Sequence, residues 1–175
     1  RGGFCEVLAT TFTCSNRAPA GISPVKLVHV INNSSTEKGG AQKLVAELHR
    51  EALQQSFNSS VLSIEETEQD AADDITSLNF ASPYNPLAIV KLAMFLRSRQ
   101  AEQLVIHGHL FPSILCLSLL KQLGLLKAPL VMTEHSTSNR RRDRWWGKWV
   151  DVITYRGFDR IFAISEGVSQ SLAEW

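Results

Sequence analysis

A short buried-type strand, followed by a glycine-containing loop and an amphipathic helix, constrains this chain most. Lys26–Ile31 is an apolar run rich in β-branched residues, which predicts a buried strand. A helical pattern begins at Ala41, and its apolar positions share one face: Ala41, Leu44, Val45, Leu48 and Ala52. The polar loop between them ends in Gly39 and Gly40. Glycines at a helix start let a ligand approach the backbone, and the helix dipole favours an anion there. We therefore expect an anion-binding site at the edge of a parallel sheet.

The alternation of strands and helices continues along the chain. Further strands are predicted at Ser60–Ile64, Ile75–Phe80, Gln103–Ile106, Pro129–Thr133 and Arg160–Ile164. Helices are predicted after the cap Asn85, over Pro112–Leu123 and Trp146–Tyr155, and after the cap Ser165. The strands are of the buried rather than the alternating type, with helices between them. We therefore expect a Rossmann-like, doubly wound parallel α/β sheet.

Burial can be predicted for three of the intervening segments. The helix after Asn85 is expected to turn six apolar side chains inward: Leu87, Val90, Leu92, Met94, Phe95 and Leu96. The helix over Pro112–Leu123 is apolar nearly all round, so it should be buried and end at Gly124. The acidic stretch from Glu65 to Asp74 is expected to be an exposed loop.

Composition is compatible with one ordinary globular domain. The chain has 175 residues, 44% of them hydrophobic and 20% charged, which is enough for a full core. The formal net charge of +1 gives no general attraction for nucleic acid. Cys116 lies in an apolar run and should be a buried hydrophobe, whereas Cys5 and Cys14 could pair. Three cysteines, an odd number without metal-ligand spacing, favour a reducing compartment.

Neither end of the chain carries a recognisable targeting signal. Residues 1–24 remain unassigned, and Glu6 interrupts their apolar run, as it would not in a good signal peptide. The most apolar stretch, Leu110–Leu120, is shorter than the roughly 20 residues needed to cross a bilayer. The helical pattern runs to Trp175 without a cap, which suggests a segment of a longer protein.

Polar residues follow most of the predicted strands. In doubly wound sheets, ligands bind outside the carboxyl ends of the strands. The residues at that edge are Asn32 to Gly40, Glu65, Glu66, His107, His109, Glu134, His135, Ser165 and Glu166. A single histidine at a strand end is more often structural than functional. Three of the five histidines at one edge favour a functional site.

Four segments of this edge occur in an order that resembles a known family. They are Gly39–Gln42 at the helix start, His107–His109 after the fourth strand, Thr133–Ser136 after the fifth, and Phe158–Val168. Together they resemble the N-terminal domain of GT-B glycosyltransferases, in particular the large retaining family four. The resemblance covers about Pro24 to Trp175, so residues 25–175 are assigned to one Rossmann-like domain.

The resemblance implies two domains that face each other across a cleft and bind different substrates. The N-terminal domain mainly holds the acceptor, and the C-terminal domain, which this chain lacks, binds the nucleotide-sugar donor. Gly39 and Gly40 match the loop near the donor diphosphate and the transferred sugar, and His135 matches the catalytic histidine beside sugar and acceptor. The other candidates are assigned to the acceptor side: His107, His109, Glu134, Ser136, Arg140, Arg141, Ser165 and Glu166.

The resemblance also implies a reaction and a setting. It implies retaining, metal-independent transfer of a hexosyl group from a nucleotide-sugar to a glycan or lipid-linked acceptor, without a cofactor. The expected pathway is cell-envelope polysaccharide biosynthesis. The expected location is cytoplasmic, with peripheral contact at the inner face of the membrane and no nucleic acid partner. Without the second domain, the chain alone should be inactive or nearly so.

Three alternatives remain open from the residues. A dinucleotide-binding oxidoreductase would use the same sheet, and Glu65 lies near the distance expected of a ribose-binding acid. Such oxidoreductases carry a Gly-x-Gly-x-x-Gly turn directly after the strand, and this chain lacks the three glycines. Here eight residues separate Ile31 from Gly40. A nucleotide-sugar epimerase shares the two-domain architecture. A non-catalytic binding module also fits, since the chain holds no complete catalytic set.

The segment Asn139–Trp149 differs from the rest of the chain in its charge and its aromatic content. It carries five cations and three tryptophans directly after the predicted site. One interpretation is a solvated basic loop whose tryptophans pack under the following helix. The alternative is contact with anionic acceptor or lipid phosphates, because arginine binds phosphate in bidentate fashion and tryptophan favours the membrane interface.

Overall fold

The computed structural model of the chain describes residues 25–67, 74–99, 103–136 and 144–174. Within these ranges the strands are β1 (Lys26–Ile31), β2 (Asn58–Glu65), β3 (Ile75–Phe80), β4 (Leu104–His109), β5 (Leu130–Glu134) and β6 (Arg160–Ala163). The helices are α1 (Gly40–Gln54), α2 (Pro86–Arg97), α3 (Ser113–Gln122), α4 (Gly147–Arg156) and α5 (Glu166–Glu174). A 3₁₀ turn at Thr36–Lys38 precedes α1. The expectations for residues 1–24, with Cys5 and Cys14, and for Arg140 and Arg141 lie outside the described residues.

The six strands form one sheet in the order β3-β2-β1-β4-β5-β6, and every pairing is parallel. This is the doubly wound, Rossmann-like arrangement predicted from the sequence. The chain order reverses between β1 and β4, and that reversal opens a crevice at the carboxyl ends of those two strands. The crevice is therefore the first place to look for a ligand site.

One face of the sheet carries the main apolar core. Alternate residues of β1, Val28 and Val30, point to this face and pack with side chains of neighbouring strands and of α2 and α3. Gly108 of β4 also points to this face, where a Cβ atom would lie 2.9 Å from Leu117 Cδ1. The helix α3 can approach β4 so closely only because residue 108 lacks a side chain.

The opposite face of the sheet is more polar. Its apolar cluster is small and joins Ile31, Val45 and Val61 beneath α1. The remaining inward positions of the central strands are largely histidine, serine and threonine. The two faces of one sheet thus differ in character, and the polar face continues to the carboxyl edge.

Helix ends follow the sequence signals. The Asn85 side chain accepts a hydrogen bond from the Leu87 N–H at 3.0 Å, which confirms it as the cap of α2. At the end of α3, Gly124 has φ +70° and its N–H bonds to the Lys121 carbonyl, while the Leu125 N–H bonds to the Leu120 carbonyl. This is a Schellman motif, so Gly124 ends the helix as predicted. The buried thiol of Cys116 also matches its prediction.

The prediction that six apolar side chains of α2 turn inward is wrong for three of them. Leu92 and Leu96 are buried, but Leu87, Val90 and Met94 are 65%, 55% and 67% exposed. The helix is apolar on more than one side, so its sequence could not show which stripe faces the sheet. The last strand also differs from the buried type, because β6 lies at the sheet edge and Ile161 is exposed. Among the described residues, no helix is both long and apolar enough to cross a membrane.

Candidate functional site

Sheet register brings two histidines side by side on the polar face. His29 of β1 and His107 of β4 are direct partners across the central pairing, and their ring centroids lie 5.1 Å apart. His109 lies two residues beyond His107 and therefore on the same face, with a centroid distance of 4.1 Å. Three imidazoles are thus placed together by strand periodicity and register alone.

Hydrogen bonds extend this group to the carboxyl edge. His29 Nδ1 lies 3.1 Å from His109 Nε2, and His109 Nδ1 lies 3.2 Å from His135 Nε2. His107 Nε2 lies 2.8 Å from Thr133 Oγ1 on β5. The chain of contacts therefore runs from the buried middle of β1 to the first residue after β5.

All five histidines of the chain belong to one array. His49 of α1 packs over the sheet at 6.5 Å from the His29 ring centroid, and its Nδ1 lies 2.8 Å from Ser59 Oγ. Neither His29 nor His49 was singled out from the sequence, because one lies within a strand and the other within a helix. The sequence did show that His29 lies two residues before Ile31, so that these two side chains share one face of the sheet. It did not show that β4, which carries His107, is the neighbouring strand.

Burial favours the neutral form of four histidines of the array: His29, His107, His109 and His135. Burial lowers the pKa of His29 from 6.5 to about 3, and nearby His49 lowers it too. Burial, with repulsion from neighbouring imidazoles, also holds the pKa values of His107 and His109 well below the usual range. Burial lowers the pKa of His135 to about 4. At neutral pH these rings are therefore uncharged, and each offers one N–H donor and one lone pair.

The predicted acceptor-side histidines lie beneath the surface. His107 is 5% exposed and His109 is fully buried, whereas His135 is partly exposed at the carboxyl edge. His109 is linked to the edge through its hydrogen bond to His135. The histidine that a ligand can reach is therefore His135, with His107 and His109 behind it.

A small cavity adjoins His135. Its volume is about 160 Å³, and it is lined by Leu110, Phe111, Ile114, Thr133, Glu134, His135 and Ser136. Glu134 is buried and accepts a hydrogen bond from the Tyr155 hydroxyl at 2.9 Å, so its carboxylate is tied to α4. Three residues predicted for the site, Glu134, His135 and Ser136, thus share the wall of one cavity.

Gly39 and Gly40 lie at the start of α1, as predicted. No side chain caps this helix, and no acidic residue lies in its first turn. A Cβ atom added at Gly40 would find no atom of the described chain within 4 Å. The positive pole of α1 is therefore not offset from within its first turn, although Glu37 lies in the 3₁₀ turn just before it.

Two asparagines that follow β1 organise the loop beside this helix. The Asn32 amide donates to the Phe111 carbonyl at 2.7 Å, and its oxygen accepts from the Ser113 N–H at 3.1 Å. The Asn33 amide donates to Glu65 Oε2 at 3.0 Å. Asn32 therefore ties the ends of β1 and β4 together across the crevice. The sequence placed Asn32 at the binding edge but gave no indication of these partners.

The remaining predicted positions lie on the far side of the edge. Ser165 and Glu166 are exposed, and the Ser165 hydroxyl accepts from the Val168 N–H at 3.3 Å, which confirms it as the cap of α5. Asp159, just before β6, accepts the Leu130 N–H at 2.7 Å and so fixes the start of β5. Two residues of the segment Phe158–Val168, Asp159 and Ser165, therefore have structural contacts, and the acceptor-side assignment of Ser165 and Glu166 stays a prediction. Glu65 is partly buried rather than in an exposed loop.

A second, larger concavity of about 480 Å³ lies between α4, β6 and α5. Most of the residues that line it are apolar, and none of the histidines is among them. The larger of these two cavities is therefore not the candidate site. The smaller cavity beside His135 carries the groups that could take part in hydrogen bonding or acid–base chemistry.

Comparison with known proteins agrees with the geometry. The family model described as Glycosyltransferase Family 4 matches residues 38–175, a range that includes β2 to β6 and all five helices. No individual curated protein matches the chain. The match covers well over half of the chain, and the parallel sheet is that of one GT-B half. The chain belongs to Glycosyltransferase Family 4, as an N-terminal domain of the GT-B type.

Proposed function

We propose that this domain forms the acceptor side of a retaining hexosyltransferase that uses a nucleotide-sugar donor. The observation that carries the proposal is the uncapped start of α1 at Gly40, on the same carboxyl edge as the partly exposed His135. Sugar transfer from a nucleoside diphosphate needs a site for the anionic diphosphate. It also needs a hydrogen-bonding group beside the sugar, and the start of α1 and His135 would supply these two on one edge of the sheet. Donor binding would be completed by a second domain across the cleft.

The donor diphosphate is assigned to the start of α1. Its backbone N–H groups and dipole favour negative charge, and the absence of a Cβ at Gly39 and Gly40 permits close approach. Lys38 is the nearest cation in the sequence, but its ammonium lies 3.3 Å from Glu65. The backbone therefore supplies the main positive field on this side.

His135 is assigned to the transferred sugar or the acceptor hydroxyl. Its ring is neutral at pH 7 because its pKa is lowered to about 4, so it can donate or accept one hydrogen bond. Its Nε2 already contacts His109 Nδ1, which leaves the opposite ring nitrogen for a ligand. His107 and His109 then act as positioning residues behind it, and Glu134 and Ser136 line the acceptor cavity.

The substitution Gly40→Asp tests the anion site, because it is expected to raise the stability of the fold and to weaken the binding of anions. A carboxylate at the helix start should stabilise the folded chain by about 0.3–1 kcal/mol. The same charge should weaken binding of inorganic pyrophosphate about tenfold relative to Gly40→Asn, its neutral isostere. Amide chemical shifts of residues 39–42 during a pyrophosphate titration, with thermal unfolding in parallel, measure both effects.

Gly40→Asn is the matched control because it has the same shape without the charge. Equal pyrophosphate affinity of the two variants would contradict the assignment. So would pyrophosphate-induced shifts confined to amides away from the start of α1.

The proposal extends to a lipid-linked acceptor and peripheral membrane contact from the cytoplasmic side. Trp145 is 87% exposed and Trp149 69% exposed, so these two tryptophans do not pack under the helix as one interpretation expected. Val152 and Ile153 continue the exposed apolar surface along α4. Basic residues accompany it in the segment Asn139–Trp149. Exposed tryptophans with nearby cations suit the interface of an anionic bilayer.

Vesicle binding should depend on these tryptophans. The double variant Trp145→Ala/Trp149→Ala is expected to bind phosphatidylglycerol vesicles at least about tenfold more weakly, because two large apolar side chains are lost. Cosedimentation with phosphatidylglycerol and with phosphatidylcholine vesicles measures the effect and its dependence on charge.

The surface of α2 supplies the matched control. Leu87→Ala/Met94→Ala also removes two exposed apolar side chains, but at a different place. If both double variants lose vesicle binding equally, the loss reflects general surface hydrophobicity and the assignment to α4 is wrong.

A further inference from the structure

Three fully packed imidazoles form a compact donor set away from the ligand-accessible edge. His29, His107 and His109 are all buried, and one ring nitrogen from each lies within 4.8 Å of the others. Two of these nitrogens, His29 Nδ1 and His109 Nε2, are 3.1 Å apart. Nitrogens bound to one tetrahedral zinc ion lie roughly 3.3 Å apart, given Zn–N bonds of 2.0–2.1 Å. The distance between His29 Nδ1 and His109 Nε2 is therefore already close to that of two nitrogens bound to one zinc ion.

A buried nitrogen in the set lacks a partner. His29 Nε2 is inaccessible to solvent and has no hydrogen-bond partner among the described residues. Leaving a buried polar atom unpaired costs on the order of 1–3 kcal/mol. Because His29 Nδ1 contacts His109, either tautomer of His29 leaves one requirement unmet inside the protein. The described residues therefore do not fully satisfy the His29 ring, although an ion bound at Nδ1 would not itself contact Nε2.

The outer contacts of two of the three histidines match those of a metal site. Metal-bound histidines usually hold their second ring nitrogen in a hydrogen bond that fixes the orientation of the ring. His109 has such a contact to His135, and His107 has one to Thr133 Oγ1. With those nitrogens held, His109 Nε2 and His107 Nδ1 remain for an ion.

We propose that His29, His107 and His109 bind one first-row divalent transition-metal ion, with Zn²⁺ as the reference ion. Neutral imidazole prefers zinc, copper or nickel, whereas magnesium and calcium require oxygen ligands that this set lacks. The ion would join β1 to β4 at the reversal of strand order. It is assigned a structural role beneath the edge, and no step of sugar transfer is assigned to it.

Metal titration of the full 175-residue chain tests the proposal. The chain, carrying Cys5→Ser and Cys14→Ser to remove thiol ligands near the N-terminus, is first stripped with chelator and then titrated with Co²⁺ and with Zn²⁺. We expect one equivalent to bind, with the intense visible absorption of four-coordinate cobalt and a raised unfolding temperature. His29→Phe should weaken the affinity for Zn²⁺ at least a hundredfold.

His49→Phe is the matched control, because His49 is also buried on this face but lies outside the three-nitrogen set. It should keep the affinity of the parent within about threefold. Absence of stoichiometric Zn²⁺ or Co²⁺ binding by the folded parent would overturn the proposal, whatever the variants do. Equal losses in His29→Phe and His49→Phe would overturn the ligand assignment. Neither result depends on sugar transfer, so this test and that of the proposed function fail independently.

Discussion

Acidification from pH 6.5 to 5, in the presence of chelator, is expected to remove much of the stability of this domain. The folded state keeps His29 neutral because its pKa is lowered to about 3, whereas the unfolded chain takes up a proton near pH 6.5. Below pH 6.5 the unfolded state therefore binds more protons, and the free energy of unfolding falls as pH falls. For His29 alone the loss by pH 5 is about 2 kcal/mol, at 1.36 kcal/mol per pH unit.

The pKa values of His107 and His109 are also lowered in the folded state, so these residues add to the loss of stability below pH 6.5. A typical domain has only roughly 5–15 kcal/mol of stability in total, so these contributions are large. Most carboxylates remain ionised at pH 5, so the effect in this window belongs to the histidines. Urea unfolding at half-unit pH steps measures the free energy directly.

His29→Phe provides the control for this prediction. It removes one titrating group, so the number of protons taken up on unfolding at pH 5 should fall by about one. A free energy of unfolding that is constant between pH 6.5 and 5 would contradict the neutral, buried state of these histidines.

Sugar transfer by the 175-residue chain alone is expected to be negligible with any nucleotide-sugar. Transfer requires the departing diphosphate to be stabilised by fixed cations and dipoles, and the start of α1 supplies only part of that field. Linking the chain to a donor-binding domain of the same family should raise the rate by about a thousandfold or more, because several such groups are restored. Product formation with a panel of nucleotide-sugars and a lipid-linked acceptor measures the gain. Robust turnover by the isolated chain would show that it holds a complete active site.

The two-domain protein also permits a direct test of His135. His135→Ala should lower kcat by about a hundredfold or more if the ring contacts the reacting groups. His49→Gln is the control, since that side chain is buried and bonded to Ser59 away from the cavity. Equal effects of the two substitutions would indicate that His135 acts only through stability.

The fold could be predicted well because its determinants are local. The apolar run Lys26–Ile31, the cap Asn85 and the terminator Gly124 each specify a few neighbouring residues, and all three appear as predicted. Which side of α2 faces the sheet is not local information. Leu87 and Leu92 are equally apolar, and only the packing of the whole helix decides that one is exposed and the other buried.

The site could be predicted only where its residues follow a strand. His107, His109 and His135 were selected because the carboxyl ends of parallel strands meet at one edge. His29 lies mid-strand, and its importance comes from its register with His107 across a pairing between distant parts of the chain. The burial of His109 likewise depends on neighbouring strands, since its ring contacts His29 of β1 and His135 after β5. A single sequence does not contain these pairings.

The reversal of strand order has a consequence for how the molecule folds. Pairings within β1, β2 and β3, and within β4, β5 and β6, join segments that are close in the chain, whereas the β1–β4 pairing joins residues as distant as Lys26 and Leu104. Closing the longer loop costs more chain entropy, so the two three-stranded halves are favoured to form before they dock. Asn32 and the contact between His29 and His109 lie across this late-forming seam. A ligand that binds there would hold the two halves of the sheet together, so binding at this edge and the stability of the whole domain are coupled.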